Sequence, residues 1–184
     1  MSETYSYRVD SDDVIVEVSE NWKSFVDYNL GADSCLPEQV IGSSLWSHVR
    51  DPETRHLYEI ILEKVRSEDK ILTFPFRCDS PSERRFLELT VYDEGDGTVH
   101  FDSAIIRTEP REAVGWLNPN EKRSDEFLRI CSMCKKVAIS EEEWVEIEGA
   151  MQALRLFEKD LLPQFTHSLC IDCYESAMAK IKAS

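Results

Sequence analysis

Four cysteines fall in two C-x2-C units, Cys131-Ser-Met-Cys134 and Cys170-Ile-Asp-Cys173, with residues 135–169 between them. A C-x2-C turn lets two thiolates face one cation while backbone N–H groups donate to the sulfurs. Two such turns supply the tetrahedron of soft ligands that zinc takes. Four sulfurs leave no open coordination position, so a structural zinc is expected and a hydrolytic one is not. The same residues admit two other readings, a thiol switch that releases zinc on oxidation and a pair of plain disulfides. His167, three residues before Cys170, either replaces one cysteine as a ligand or donates a hydrogen bond beside the site.

Lys135 and Lys136 follow the first pair directly and are placed to offset the net negative charge of zinc with four thiolates. Ser140 and Glu143 form an S-x-x-E capping box, and Trp144, Ile147, Met151 and Leu154 continue at helical spacing. A helix should therefore pass the site and return the chain through Pro163 to the second pair, which opens a helix over 174–180. A unit this small, spanning 126–184, is expected to need a metal to fold.

Composition bounds the rest. The 184 residues carry a formal net charge of -15 and are 42% hydrophobic, enough for a packed core. That charge repels phosphate backbones, so no nucleic-acid partner is expected. Met1-Ser2-Glu3-Thr4 offers neither a basic start nor an apolar run, and no stretch is long and apolar enough to span a bilayer. Six cysteines without an export signal point to a reducing compartment, the cytoplasm, where thiols more often bind metal than form permanent disulfides.

The elements ahead of the cysteines follow from pattern. Tyr5, Tyr7 and Val9 alternate with polar residues, and Val14–Val18 forms a second short strand. After Ser19, the residues Trp22, Phe25, Val26 and Asn29 fall at helical spacing, with Gly31 as the stop. Short helical pieces end near Gly42 and around Leu45-Trp46-Val49. Asp51-Pro52 starts a helix to about Ser67, with Leu57, Ile60, Ile61 and Val65 as its apolar stripe. Period two then returns in Leu72, Phe74, Phe76 and Cys78, where Pro75 marks an edge or bulge, in Leu87, Leu89 and Val91, and in Val99, Phe101, Ser103 and Ile105. Segment 110–125 reads as a linker with a short helix. The fold class is α+β: an antiparallel five-stranded sheet with helices, residues 1–109, plus a small, mostly helical zinc module, residues 126–184.

The order of strands and helices in residues 1–109 resembles a PAS domain. Asn21-Trp22 with Phe25, Ile41-Gly42 before Leu45-Trp46, Thr54-Arg55 with Leu57-Tyr58, and Phe76-Arg77-Cys78-Asp79-Ser80-Pro81 before Arg84-Arg85 resemble a bacterial PAS-like family. Ile130 through Lys136, Trp144, and His167 through Cys173 resemble a cysteine-rich segment at the C-terminus of many bacterial signalling proteins. The resemblance implies a sensory or protein-interaction role in signal transduction, often as a homodimer, with a small molecule, and in some members haem or flavin, between sheet and helices. The Asn-Cys-Arg-Phe-Leu-Gln motif of flavin-binding light sensors is absent. No output module fits in the remaining residues, so a separate signalling partner is expected.

Arg77, Asp79, Arg84 and Arg85 form either a turn-stabilising ion pair or the lining of a pocket or interface. Cys78 is expected as a small apolar side chain and Cys35 as a loop thiol. His48, His56 and His100 sit in no haem-attachment pattern. Trp22, Trp46 and Phe101 are expected in the core, with Trp22 or Trp46 over a ligand pocket as the alternative. No nucleophile elbow, P-loop, dinucleotide fingerprint or H-E-x-x-H occurs, so no enzyme activity is expected.

Overall fold

A computed structural model describes residues 3–28, 35–118 and 120–183. The helical position Asn29 and the stop at Gly31 lie outside them. Strands β1 (Thr4–Val9) and β2 (Ile15–Val18) lead into α1 (Trp22–Tyr28) and the single turn α2 (Pro37–Val40). A 3-10 turn at Leu45–Ser47 precedes α3 (Pro52–Glu68). Asp51 caps α3 by accepting from the Thr54 N–H at 2.7 Å, and Pro52 occupies the first helical position.

Strands β3 (Leu72–Arg77), β4 (Glu83–Asp93) and β5 (Val99–Pro110) complete a five-stranded antiparallel sheet in the order β2-β1-β5-β4-β3. The alternation seen in the sequence is the register: Leu72 faces Val91, Phe74 faces Leu89 and Tyr7 faces Phe101. These side chains share the face on which α3 packs Leu57, Ile61 and Val65. Pro75 lies on β3, an edge strand, where its missing N–H costs no ladder bond. Between β4 and β5 the chain turns at Gly95 and Gly97, both at positive φ, and the Asp93 carboxylate accepts from both N–H groups.

The C-terminal part departs from the expected mostly helical module. It contains a four-stranded sheet, ordered β8-β7-β6-β9, built from β6 (Arg123–Cys131), β7 (Val137–Ala138), β8 (Trp144–Val145) and β9 (Leu162–Ser168). Helices α4 (Ile147–Ala153) and α5 (Ile171–Ala183) complete it. The Ser140 hydroxyl does accept from the Glu143 N–H, at 3.1 Å, but the bond closes a turn between β7 and β8. A capping hydrogen bond spans only one turn of chain, so it forms equally well at a tight hairpin. Trp144 and β-branched Val145 then continue extended, and the helix starts only at Ile147.

Segment 110–125 holds a 3-10 turn at Gly115–Leu117 whose Trp116 is fully buried and donates its indole N–H to the Pro163 carbonyl at 2.9 Å. Trp116 sits in a core with Ile130, Val137, Ile147 and Leu156. A second and larger core joins both parts of the chain. Cys131, Leu169, Cys170, Ala177 and Ile181 pack in the same buried cluster as Val9, Leu57, Phe74 and Phe101.

Candidate metal centre

Parallel pairing of β6 with β9 is what brings the cysteines together. Its register sets Ile130 beside His167 and Cys131 beside Ser168. Because the two strands run the same way, both cysteine pairs emerge at the same end of the sheet. Cys131 ends β6 and Cys134 lies in the turn before β7. That turn is held by the Cys131 N–H donating to the Lys136 carbonyl at 2.8 Å and the Lys135 N–H donating to the Cys131 carbonyl at 3.1 Å. Lys135 adopts a left-handed conformation, φ 61°, to complete it. Cys170 immediately precedes α5 and Cys173 lies in its first turn, where the helix dipole favours negative charge.

The four ligand sulfurs, two buried and two half-buried, all lie within 4.8 Å of one another, and this group could hold a metal ion. Cys134 and Cys170 Sγ are 3.7 Å apart, well beyond the roughly 2.05 Å of a disulfide bond. The Cys170 N–H donates to Cys131 Sγ at 3.4 Å. Cys131 is held far below the usual thiol range by the thiols of Cys134 and Cys173, which donate to it, and by the N–H groups of Cys134 and Cys170, all acting against burial. Cys134 is pushed up to about 12, first by its bond to Cys131, and Cys173 is pushed far up by its bonds to Cys131 and Cys134. Cys131 thus supplies a readily formed thiolate to the set of four sulfur donors. That donor set fits a soft metal ion.

His167 is not among the grouped ligands. It stands on β9 one residue before buried Ser168 and is itself exposed, beside a polar hollow that it lines with His48 and Asp51. Lys135 directs its ammonium to the Ser132 carbonyl at 2.7 Å, so it braces the cysteine turn. Cys35 and Cys78 stand apart from the cluster.

A cavity of about 210 Å³ lies between the five-stranded sheet and α3. Phe101 is fully buried in the core, while Trp22 is half-buried and lines this cavity with Tyr7, Tyr58 and Phe74. Tyr7 stacks on Phe101 at 4.6 Å, and Tyr58 lies parallel to the same ring at 5.8 Å. Burial raises both phenols above their usual range, and they hydrogen-bond to each other. Trp46 points elsewhere, donating its indole N–H to the Asp13 carboxylate at 3.0 Å. Ser132 and Met133, between the first two cysteines, and Leu169, just before the third, complete the cavity wall. The sequence carried no signal for this, because a wall shared between residues as far apart as Tyr58 and Ser132 leaves no local pattern.

Arg77, Asp79, Arg84 and Arg111 form an ion network with α4. The Arg77 guanidinium contacts Asp79 at 2.5 Å and Glu146 at 2.8 Å, and Arg84 contacts Glu148 at 2.6 Å. Arg111 reaches Asp79 at 3.4 Å and the Ser80 carbonyl at 2.6 Å. Burial works against the charge on Arg77, but the hydrogen bonds and charges of Asp79 and Glu146 outweigh it and raise its pKa. Arg85 is buried separately and donates to the Cys78 carbonyl at 2.8 Å.

Fold and site together define an α+β protein with a five-stranded antiparallel sheet, a second small sheet and a four-cysteine cluster. No protein-family model matches the chain, and no curated protein matches it. Among solved structures it is similar to a domain of an HTR-like protein from Haloarcula marismortui ATCC 43049. That similarity has 11% identity and a TM-score of 0.34, and covers 56% of this chain and 98% of that one. Among the described residues, no helix is long and apolar enough to cross a membrane.

Proposed function

We propose that this chain is a non-enzymatic signal-transduction protein of the cytoplasm. In this reading a PAS-like sensory or protein-interaction domain, residues 1–109, is joined through 110–125 to a zinc-stapled module, residues 126–184. The observation that carries it is the position of the four sulfurs. They lie within 4.8 Å of one another, and Cys131 and Cys170 belong to the core cluster that also packs the five-stranded sheet. A tetrahedron with zinc–sulfur bonds of about 2.3 Å separates its sulfurs by about 3.8 Å, and Cys134 and Cys170 stand 3.7 Å apart. Cys131, Cys134, Cys170 and Cys173 would hold the zinc, and its role there is to fasten β6 and the start of α5 to the sheet.

The strand order β2-β1-β5-β4-β3, with the helices inserted between β2 and β3, supports the PAS-like reading. So does an aromatic cavity between sheet and α3. Exposed Ile106, Phe127 and Phe157 offer apolar surface for a second copy or for the separate partner that would receive the signal. The test is elemental analysis of protein purified without chelator, beside Cys170→Ser. About one zinc per chain, lost in the variant together with its cooperative unfolding, supports the reading. Absence of zinc from the unaltered protein defeats it.

A further inference from the structure

We propose that the cavity between the five-stranded sheet and α3 binds a compact, uncharged aromatic molecule. We infer that this binding and metal retention at the four cysteines strengthen each other through Ser132, Met133 and Leu169. The inference rests on the metal reading above and adds the ligand class and its linkage to the metal.

The lining sets the chemistry. The cavity measures about 210 Å³, and an engineered apolar cavity of about 150 Å³ takes up benzene. No described residue in its wall is charged, so a charged guest would be desolvated without a partner. The polar groups are largely satisfied among themselves. The phenols of Tyr7 and Tyr58 bond to each other, and the Thr54 hydroxyl donates to the Ser132 hydroxyl at 3.1 Å. Tyr7 stacks within 4° of parallel on Phe101, and Trp22 meets Tyr7 edge-on at 6.0 Å, so the wall presents aromatic faces and edges to a flat guest. A single ring with at most one hydroxyl matches these features.

The linkage follows from which residues close the cavity. Ser132 and Met133 lie between Cys131 and Cys134, and Leu169 is bonded to Cys170, so three wall residues are one or two bonds of chain from the metal ligands. The turn that carries them is pinned from outside: the Met133 carbonyl accepts from the Arg77 N–H at 2.7 Å, and the Ser132 N–H donates to the Ser168 carbonyl at 2.8 Å. A cation that gathers the four sulfurs fixes Met133 and Leu169 against the cavity. A ring packed on Met133 and Leu169 favours the same arrangement of the cysteines. Whatever factor one binding event contributes to the other must be returned equally in reverse.

The test uses the full chain with p-cresol and indole as probes. Quenching of Trp22 fluorescence, checked against Trp22→Phe, gives probe affinity, and equilibrium competition with a chromogenic chelator gives zinc affinity. The expected result is saturable probe binding and zinc held about fivefold or more tightly at saturating probe, with probe affinity raised by the same factor in the zinc-loaded protein. Met133→Ala, which keeps all four thiols, should keep its zinc but lose most of that factor. This separates linkage from simple unfolding of zinc-stripped protein. Failure of both probes to bind, or zinc affinity indifferent to bound probe, overturns the inference while leaving the zinc staple intact. A chain that takes up no zinc overturns both.

Discussion

The backbone N–H of Arg77, at the end of β3, donates to the carbonyl oxygen of Met133 at 2.7 Å, in the middle of the cysteine turn. One residue of the large sheet thus grips the cysteine turn by its backbone, and its guanidinium grips Asp79 and Glu146. The two sheets are therefore fastened by polar groups at the same place where Cys131 and Cys170 enter the shared core.

Removing that grip should be costly. Arg77→Ala leaves the Asp79 carboxylate, 3% exposed, without its nearest cation. Breaking a buried pair from one side costs about 3–5 kcal/mol, and Arg111, still 3.4 Å from Asp79, holds the loss to the lower end of that range. Urea denaturation should show a fall of that order, whereas Arg107→Ala, at an exposed pair with Glu109, should change stability by less than about 1 kcal/mol. Equal effects of the two changes would show that the network fastens nothing.

Trp116 carries the smaller core. Trp116→Ala should destabilise the protein by about 3–5 kcal/mol, because the side chain is fully buried. Trp116→Phe keeps most of the packing but leaves the Pro163 carbonyl without its donor, a loss of about 1–3 kcal/mol. Denaturation midpoints of both variants, ranked in that order, check the assignment.

His167 should be dispensable for the metal. Its absence from the ligand group predicts that His167→Ala retains the same zinc content as the unaltered protein, while Cys134→Ser does not. Elemental analysis of the two variants decides this, and zinc loss in His167→Ala would make the histidine a ligand.

Acid should loosen the ion network in a defined direction. Burial raises the pKa of Glu148, but its backbone hydrogen bond and the Arg84 and Arg111 charges outweigh this and leave it lowered. A carboxylate depressed in the folded state contributes stability that is full above its unfolded pKa, about 4.3, and is lost as pH falls through the lower folded value. Stability measured from pH 6 downward should therefore fall less steeply in Glu148→Gln than in the unaltered protein. Parallel profiles would remove Glu148 from the account.

How much of this was legible depends on the range of the signals. Leu72, Phe74, Leu89, Val91 and Phe101 declared their strands through period two, and Asp51-Pro52 declared α3, because each pattern is complete within a few residues. The cysteines were legible for the same reason. β6 was not: it buries only Ile130 and Cys131 at its end, and Arg123, Asp125, Glu126 and Arg129 along it read as solvated chain. β9 was masked by Pro163, and its partner strand lies more than thirty residues away in parallel register. Trp116 looked like part of a polar connection because the residues that bury it, Ile147 and Leu156 among them, come later in the chain.

The outer rim of β3 bears on how the protein behaves in a crowded cell. A terminal strand ordinarily displays a row of unmet backbone donors and acceptors that can recruit another chain. Here the Thr73 carbonyl is taken by the Lys180 ammonium from α5 at 3.1 Å, Pro75 has no N–H to offer, and the Arg77 N–H is taken by Met133. The cysteine module is thus also a guard over the rim of the larger sheet. Losing its fastening would expose a sticky strand as well as a softened core, so metal depletion should first be visible as self-association.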